Sequence, residues 1–239
     1  MMNDKYLIVI AGPTASGKTA TAITIAKALR TVIISADSRQ FYREIPIGTA
    51  APTREELSEV EHYMIHNLSI EDRYDVADYE KDVLLLLKKL FLNHDAVVMT
   101  GGSGLFIDAV CNGLDSIPDI SEETRNRVND LYEKGGVVAL QNELQHLDPE
   151  YYEIVDKQNP RRLQRAIEVC YQTGLPYSSF RKNNTKERDF KIIKLALLWE
   201  RNELITRINK RVENMISDGL VEEARSVYHK RNLNSLNTV

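Results

Sequence analysis

Gly12-Pro13-Thr14-Ala15-Ser16-Gly17-Lys18-Thr19 decides the reading of this chain. The stretch follows Tyr-Leu-Ile-Val-Ile-Ala at 6–11, a short apolar run rich in β-branched residues, and opens onto residues 19–29, rich in alanine and isoleucine. Strand, glycine loop and helix in that order are the setting in which G-x-x-x-x-G-K-[ST] holds phosphate. Gly12 and Gly17 permit backbone conformations closed to other residues, so that beyond Pro13 the successive N–H groups of Thr14, Ala15 and Ser16 turn inward. The helix N-terminus adds its positive end. Lys18 brings a point charge to a terminal phosphate, and the Thr19 hydroxyl suits Mg²⁺ or a bridging oxygen.

Working outward, residues 32–36 read as a second buried strand that ends in Asp37-Ser38-Arg39-Gln40, a polar cluster placed beside the phosphate loop if the two strands are parallel neighbours. Thr53-Arg-Glu-Glu56 has capping-box spacing, and Asp75 offers an N-cap to a long helix over 76–92. Residues 96–100 form a third strand running into Gly101-Gly102-Ser103-Gly104. This β-α-β alternation predicts an α/β fold, a P-loop NTPase-like parallel sheet flanked by helices. Ligands in such sheets bind at the carboxyl ends of the strands, where three of these loops collect.

From 116 to 157 the pattern turns to polar, helix-forming segments, 122–133 and 137–147, broken at Gly135-Gly136 and Pro149. We read this as a small helical insertion domain, with 1–115 and 158–239 forming the core. Asn159-Pro160 then starts a helix over 161–171 that Gly174 stops. Residues 191–199 supply a late strand and 200–217 a charged amphipathic helix closed at Gly219.

The chain's 239 residues suffice for one large domain or a domain with an insert, and 43% hydrophobic with 28% charged residues is ordinary globular composition. No export signal is visible, and the most apolar helical run, 83–92, is interrupted by Lys88 and Lys89 and falls short of the ~20 residues that span a bilayer. No membrane association is expected. Cys111 and Cys170 are too far apart for a metal or redox motif and read as reduced thiols of the cytoplasm. Net charge is −4, yet residues 157–194 hold ten basic against three acidic side chains. Such asymmetry either focuses an anionic polymer onto one face or is a solvated, charge-mixed surface.

Asp37, at the end of the second strand, is placed to act as a general base, as a partner of a bound metal, or as a simple turn cap. Arg207 and Arg211 lie four apart on one helical face, so they either clamp a leaving diphosphate or form surface salt bridges. His62 and His66 share that spacing but lack an HExxH motif and a third ligand, and read as structural. Tyr171, Tyr177 and Phe180 either stack on unpaired bases or pack in the core.

The strings GPTASGKT at 12–19, ISADSRQFYREIPIGTAAPT at 34–53, TGGSGLF at 100–106 and NPRRLQRAIEV at 159–169 together resemble tRNA dimethylallyltransferases, also called tRNA isopentenyltransferases. The resemblance runs from about Tyr6 to the end and is weakest through the helical insert. It implies transfer of a dimethylallyl group from dimethylallyl diphosphate to the exocyclic N6 amine of an adenosine next to the anticodon in tRNA. It further implies that Gly12 to Thr19 hold the diphosphate, with Thr19 at the leaving group and at Mg²⁺, and that Asp37 takes the amine proton. Asp37, Ser38, Arg39 and Gln40, with Arg161, Arg162, Leu163, Gln164 and Arg165, match segments that contact tRNA, and Ser103 matches a position near the substrate. A monomer acting in the cytoplasm is expected. Ala51, Ser103 and Phe106 stand where many relatives carry lysine, threonine and tyrosine. Relatives continue past a segment like SLNTV into a GY(K/R)E stretch and further basic helices, so the chain reads as a fragment lacking part of the tRNA grip. The rival readings are a nucleotide or small-molecule kinase, which would use the same loop for ATP, an adenylate isopentenyltransferase acting on free nucleotides, and a noncatalytic nucleotide switch or RNA-binding module.

Overall fold

A computed structural model describes residues 4–115, 117–181 and 185–237. Ser116, at the expected start of the insert, Lys182 of the basic stretch, and Val239 lie outside the described residues. Two compact units result, one comprising residues 1–113 with 186–239 and the other 114–185.

The first unit is built on five parallel strands, β1 (Tyr6–Ala11), β2 (Ile33–Ser35), β3 (His62–Tyr63), β4 (Ala96–Thr100) and β5 (Lys191–Ala196), in the order β3-β2-β4-β1-β5. Helices α1 (Lys18–Leu29), α2 (Arg54–Glu59), α3 (Val76–Leu90) and α4 (Gly104–Asn112) connect the first four strands and lead out of β4. Strands buried on both faces need apolar side chains of both parities, which is why β1 and β4 read as unbroken hydrophobic runs rather than alternating ones. Leu7, Val9, Val97 and Met99 pack with Val83 and Leu87 of α3 and Val110 of α4. Ile10, Ile33 and Val98 point to the opposite side, against Ala22, Ile23 and Ala26 of α1. The expected caps are in place: Thr53 with Glu56 and Asp75 with Asp78 each form a reciprocal capping box.

β1 and β2 are parallel but not direct neighbours, because β4 separates them. Their carboxyl ends still share one edge of the sheet, because every strand runs in the same direction. β3, with two residues, and α4, which starts directly after two glycines, carry too little periodicity to be read from sequence. The parallel ladder also brings Arg188 against Glu80 at 2.7 Å, with the same guanidinium donating to the carbonyls of Ala109 and Val110. Both side chains are about nine-tenths buried, and the paired charges and carbonyls satisfy one another there.

The second unit is helical: α5 (Glu122–Leu147), α6 (Pro149–Ile154) and α7 (Pro160–Thr173). α5 is broken at Gly136, whose φ of 62° and ψ of −159° interrupt the helix at the expected place. The expected boundary at residue 158 falls inside this unit. The reason lies in α7, whose Leu163, Ala166 and Ile167 fill a core shared with Val128, Leu140 and Leu144 of α5 and Tyr151 of α6. Asp148 is fully buried and accepts hydrogen bonds from Tyr151 N–H, Ser178 N–H and the Ser178 hydroxyl. These tie the 177–180 turn to the same unit. Tyr171 donates to Glu143 under the Arg127 guanidinium, and Tyr177 packs edge-on against Tyr151. Both are therefore engaged in the unit's own packing.

Toward the chain end, the first unit adds α8 (Arg201–Ser217), α9 (Leu220–Val227) and α10 (Asn234–Asn237). Gly219, expected to close the amphipathic helix, is the N-terminal boundary residue of α9, with φ of 103°. No helix among the described residues is long and apolar enough to cross a membrane.

Candidate active site

At the carboxyl edge of the sheet a cavity of about 600 Å³ collects residues that lie far apart in sequence. Its floor is the phosphate loop, from Thr14 to Thr19, leading into α1. Gly17 holds φ of 88° and Ala15 φ of 62°, and the alanine's left-handed conformation costs on the order of 1 kcal/mol. Two long-range hydrogen bonds hold that turn. The Arg207 Nε donates to the Ala15 carbonyl at 2.7 Å and the Trp199 Nε1 to the Ser16 carbonyl at 2.9 Å, while the guanidinium lies 4.2 Å over the indole ring. Gly12 and Pro13 lend their carbonyl oxygens to the Lys18 ammonium at 3.0 and 2.8 Å.

Burial lowers the Lys18 pKa, and the nearby Arg211 charge lowers it further, with Asp37 pulling the other way. Two cations held this close favour a polyanion between them. The Thr21 and Thr24 hydroxyls bond back to helix carbonyls, whereas the Thr19 hydroxyl takes no protein partner among the described residues and lines the cavity. That leaves an oxygen free for a hard cation or a phosphate oxygen.

Asp37 enters from the end of β2. Its Oδ1 accepts the Arg39 N–H at 3.0 Å, closing a turn, and its Oδ2 rests where a side chain on Gly102 would approach to 3.0 Å. The turn after β4 closes against it: Ala36 N–H donates to the Thr100 carbonyl, Ser103 N–H to the Ala36 carbonyl, and the Ser103 hydroxyl to the Ser38 hydroxyl. Gln40 is held on both sides, by the Ser35 hydroxyl at its Oε1 and the Ala50 carbonyl at its Nε2. Arg39 reaches the Ser235 carbonyl at 2.7 Å. The sequence cluster at 37–40 is thus one carboxylate presented by three residues that hold the loop in shape.

The roof is α8. Arg207 and Arg211 both line the cavity, as one helical face requires, and neither pairs with a carboxylate among the described residues. Lys210 and Asn214 continue that face at the i+3 and i+7 positions, a spacing legible in the sequence once Arg207 is placed. His62 also lines the cavity; its Nδ1 lies 2.8 Å from the Val60 carbonyl, so Nδ1 carries the proton and Nε2 is left without a partner. His66 sits at the neighbouring turn, its N–H donating to the Gln40 carbonyl.

Arg161, Arg162 and Arg165 are exposed on α7 in the helical unit. Leu163, expected among the tRNA-contacting residues, is fully buried in that unit's core. A 3.6-residue period puts Leu163, Ala166, Ile167 and Cys170 on one inward stripe and leaves the arginines outside. The Gln164 amide donates to Asn129 at 3.1 Å.

Sequence reading missed Trp199 and Glu223. The Glu223 carboxylate on α9 accepts the N–H groups of Ile47 and Gly48 at 2.8 and 2.7 Å, fixing the turn that carries Ala50 and Pro52 into the cavity wall. No local motif marks a contact across 175 residues. Glu223→Ala removes two charge-assisted hydrogen bonds, and hydrogen exchange at the Ile47 and Gly48 amides should accelerate by about 10-fold or more. Unchanged exchange rates would show that the turn holds itself.

The model of the IPP transferase family matches residues 40–239. The chain is 54% identical over 233 residues to the tRNA dimethylallyltransferase 1 of Phocaeicola vulgatus, covering 98% of this chain and 78% of that protein. It is 50% identical to the tRNA dimethylallyltransferase of Christiangramia forsetii, with the same coverage of each. Among solved structures, the full-length tRNA isopentenylpyrophosphate transferase of Bacillus halodurans superposes with a TM-score of 0.63 at 32% identity, over 98% of this chain and 74% of that one. A eukaryotic dimethylallyltransferase acting on tRNA shares the fold at a TM-score of 0.77 and 24% identity, over 96% of this chain and 57% of that one. Matched by that family model over residues 40–239 and by such relatives over nearly its whole length, this chain belongs to the IPP transferase family.

Proposed function

We propose that this chain transfers a dimethylallyl group from dimethylallyl diphosphate to the exocyclic N6 amine of an adenosine next to the anticodon in tRNA, releasing diphosphate. The observation that carries the reading is a single cavity lined at once by the phosphate loop, the Asp37 carboxylate and the cationic face of α8. A phosphate loop alone fits many reactions; a carboxylate and a cationic roof on the same space fit displacement of a diphosphate by a weak nucleophile.

In that reaction the allylic C1–O bond breaks with its electron pair leaving on diphosphate, the N6 nitrogen bonds to C1, and the N6 proton passes to Asp37. Loop N–H groups, Lys18, Arg207 and Arg211 meet the charge that grows on the leaving group. An aromatic amine is a poor nucleophile and gains from a base as its new bond forms. Asp37 supplies this through Oδ2, since Oδ1 is committed to Arg39 N–H. The Thr19 hydroxyl, without a protein partner among the described residues, fits a Mg²⁺ ion, which would neutralise the diphosphate's charge when bound. The reactive base must leave its stack to reach such a cavity. Monomeric action in the cytoplasm belongs to the same proposal.

Mass spectrometry of tRNA and of AMP after incubation with dimethylallyl diphosphate and Mg²⁺ tests it. Prenyl mass on tRNA alone is expected; modification of AMP instead, or, in a parallel incubation with ATP and a small acceptor, ADP formation with no prenyl mass on tRNA in the first, would sink the reading. The exposed arginines of α7 give a separate handle on the RNA. Replacing Arg161, Arg162 and Arg165 together by alanine should weaken tRNA binding and reduce the slope of log K against log salt by about 2. An unaltered slope would remove them from the RNA contact.

A further inference from the structure

Beside the candidate active site lies a second cavity of about 690 Å³. It adjoins the first: Ala50, Pro52, Arg211 and Asn214 line both. Its body is formed by Ile47, Ala51, Leu57 and Met215, apolar side chains each left partly exposed. Arg43 and Arg54 stand exposed at its rim. No Phe, Tyr or Trp lines it, and the one aromatic ring there, His66, has its Nε2 buried. Apolar surface of this kind gains most from an aliphatic chain.

We infer that the second cavity is a binding annex for the distal carbons of allylic diphosphates longer than five carbons, the ten-carbon geranyl diphosphate being the smallest. This rests on the proposed reading in one respect, that an allylic diphosphate is the small substrate. The phosphate loop, Ala50 and Pro52 line one cavity, so with the diphosphate on the loop an isoprene unit beyond the first would extend past Ala50 and Pro52 into the annex. The volume lies in the range of cavities that hold drug-sized ligands and far exceeds what a dimethylallyl group fills. The turn that carries this wall is held by the Glu223 carboxylate through Ile47 and Gly48. The reaction would be the same displacement, with the allylic C1–O bond breaking toward diphosphate and the amine proton passing to Asp37.

Calorimetric binding of inorganic diphosphate, dimethylallyl diphosphate and geranyl diphosphate to the whole chain tests the inference without requiring turnover. Each buried methylene contributes about fourfold in affinity, so geranyl diphosphate should bind at least ~10-fold more tightly than dimethylallyl diphosphate. Met215→Gln, which keeps length and helix preference but adds a polar amide, should shrink that advantage to about threefold or less while leaving inorganic diphosphate affinity unchanged. Ala51→Gln provides the same test from the opposite wall if the first variant folds poorly. Geranyl diphosphate binding no more tightly than dimethylallyl diphosphate overturns the inference. So does an advantage that survives both variants, or variants that weaken tRNA binding instead, which would give the annex to RNA. Failure of the proposed function is a different result, prenyl diphosphates bound but no prenyl mass on tRNA.

Discussion

Asp37→Ala should lower kcat for prenyl transfer by about 10²–10⁴-fold, the usual contribution of a positioned general base, while the affinity for inorganic diphosphate stays within about twofold of the unchanged chain. The separation follows from geometry. The diphosphate is gripped by the loop, Lys18 and the α8 cations, none of which is anchored by Asp37. Alanine also deletes the acceptor for Arg39 N–H, so a small loss of stability accompanies it, about 1 kcal/mol. Asp37→Asn removes that ambiguity: the amide oxygen can still accept from Arg39 N–H, but the side chain no longer takes a proton. Equal loss in both variants, measured by single-turnover transfer to tRNA, assigns the defect to proton acceptance. Near-normal rates in Asp37→Asn would remove Asp37 as the base and leave it as the turn cap that its Oδ1 contact already makes it.

Gly101→Ala should be the most damaging single methyl in the molecule. A Cβ there would lie 2.2 Å from the Ala36 carbonyl carbon, 2.3 Å from its oxygen and 2.6 Å from the Asp37 nitrogen. All three are backbone atoms, so no side chain can rotate away. The ends of β2 and β4 have to part, at the cost of the Ala36 N–H bond to Thr100 and the Ser103 N–H bond to Ala36. The expected loss is about 3 kcal/mol or more, seen as a fall in melting midpoint of roughly 6–12 °C. Because Asp37 is displaced with Ala36, transfer activity should fall in the fraction that remains folded. Gly104→Ala is the control: a Cβ there meets nothing within 4 Å, and alanine near a helix start is neutral or mildly stabilising. Equal melting midpoints for the two variants would show that β2 and β4 are not packed as described.

The contrast between those glycines marks what could be read in advance. That a glycine turn ends the third strand is evident from residues 101–104, and that phosphate binds at residues 12–19 is evident from the motif and its flanks. Which glycine is indispensable is not, since the clash is with β2, more than sixty residues earlier. Arg207 and Arg211 were legible as a face but not as a roof. The same holds for α7: the alternation of arginine with apolar residues is plain, yet Leu163 was grouped with its charged neighbours until the packing against α5 showed it turned inward. The insert's C-terminal limit moved from 157 to 185 for the same reason, because a helix that looks amphipathic in isolation does not announce which partner covers its apolar stripe.

By itself the sequence determined the strand-loop-helix unit, the capping box at Thr53, the N-cap at Asp75, the Asn159-Pro160 helix start and the break at Gly135-Gly136. Each rests on hydrogen bonds and dihedral preferences that span four residues or fewer. Only the tertiary structure decided that β4 stands between β1 and β2, that Trp199 and Arg207 clasp a strained turn about 190 residues away, and that Glu223 fixes the wall between two cavities. Those contacts form when apolar faces are buried and the chain is brought back on itself, so the residues that make them bear no mark in their own neighbourhood.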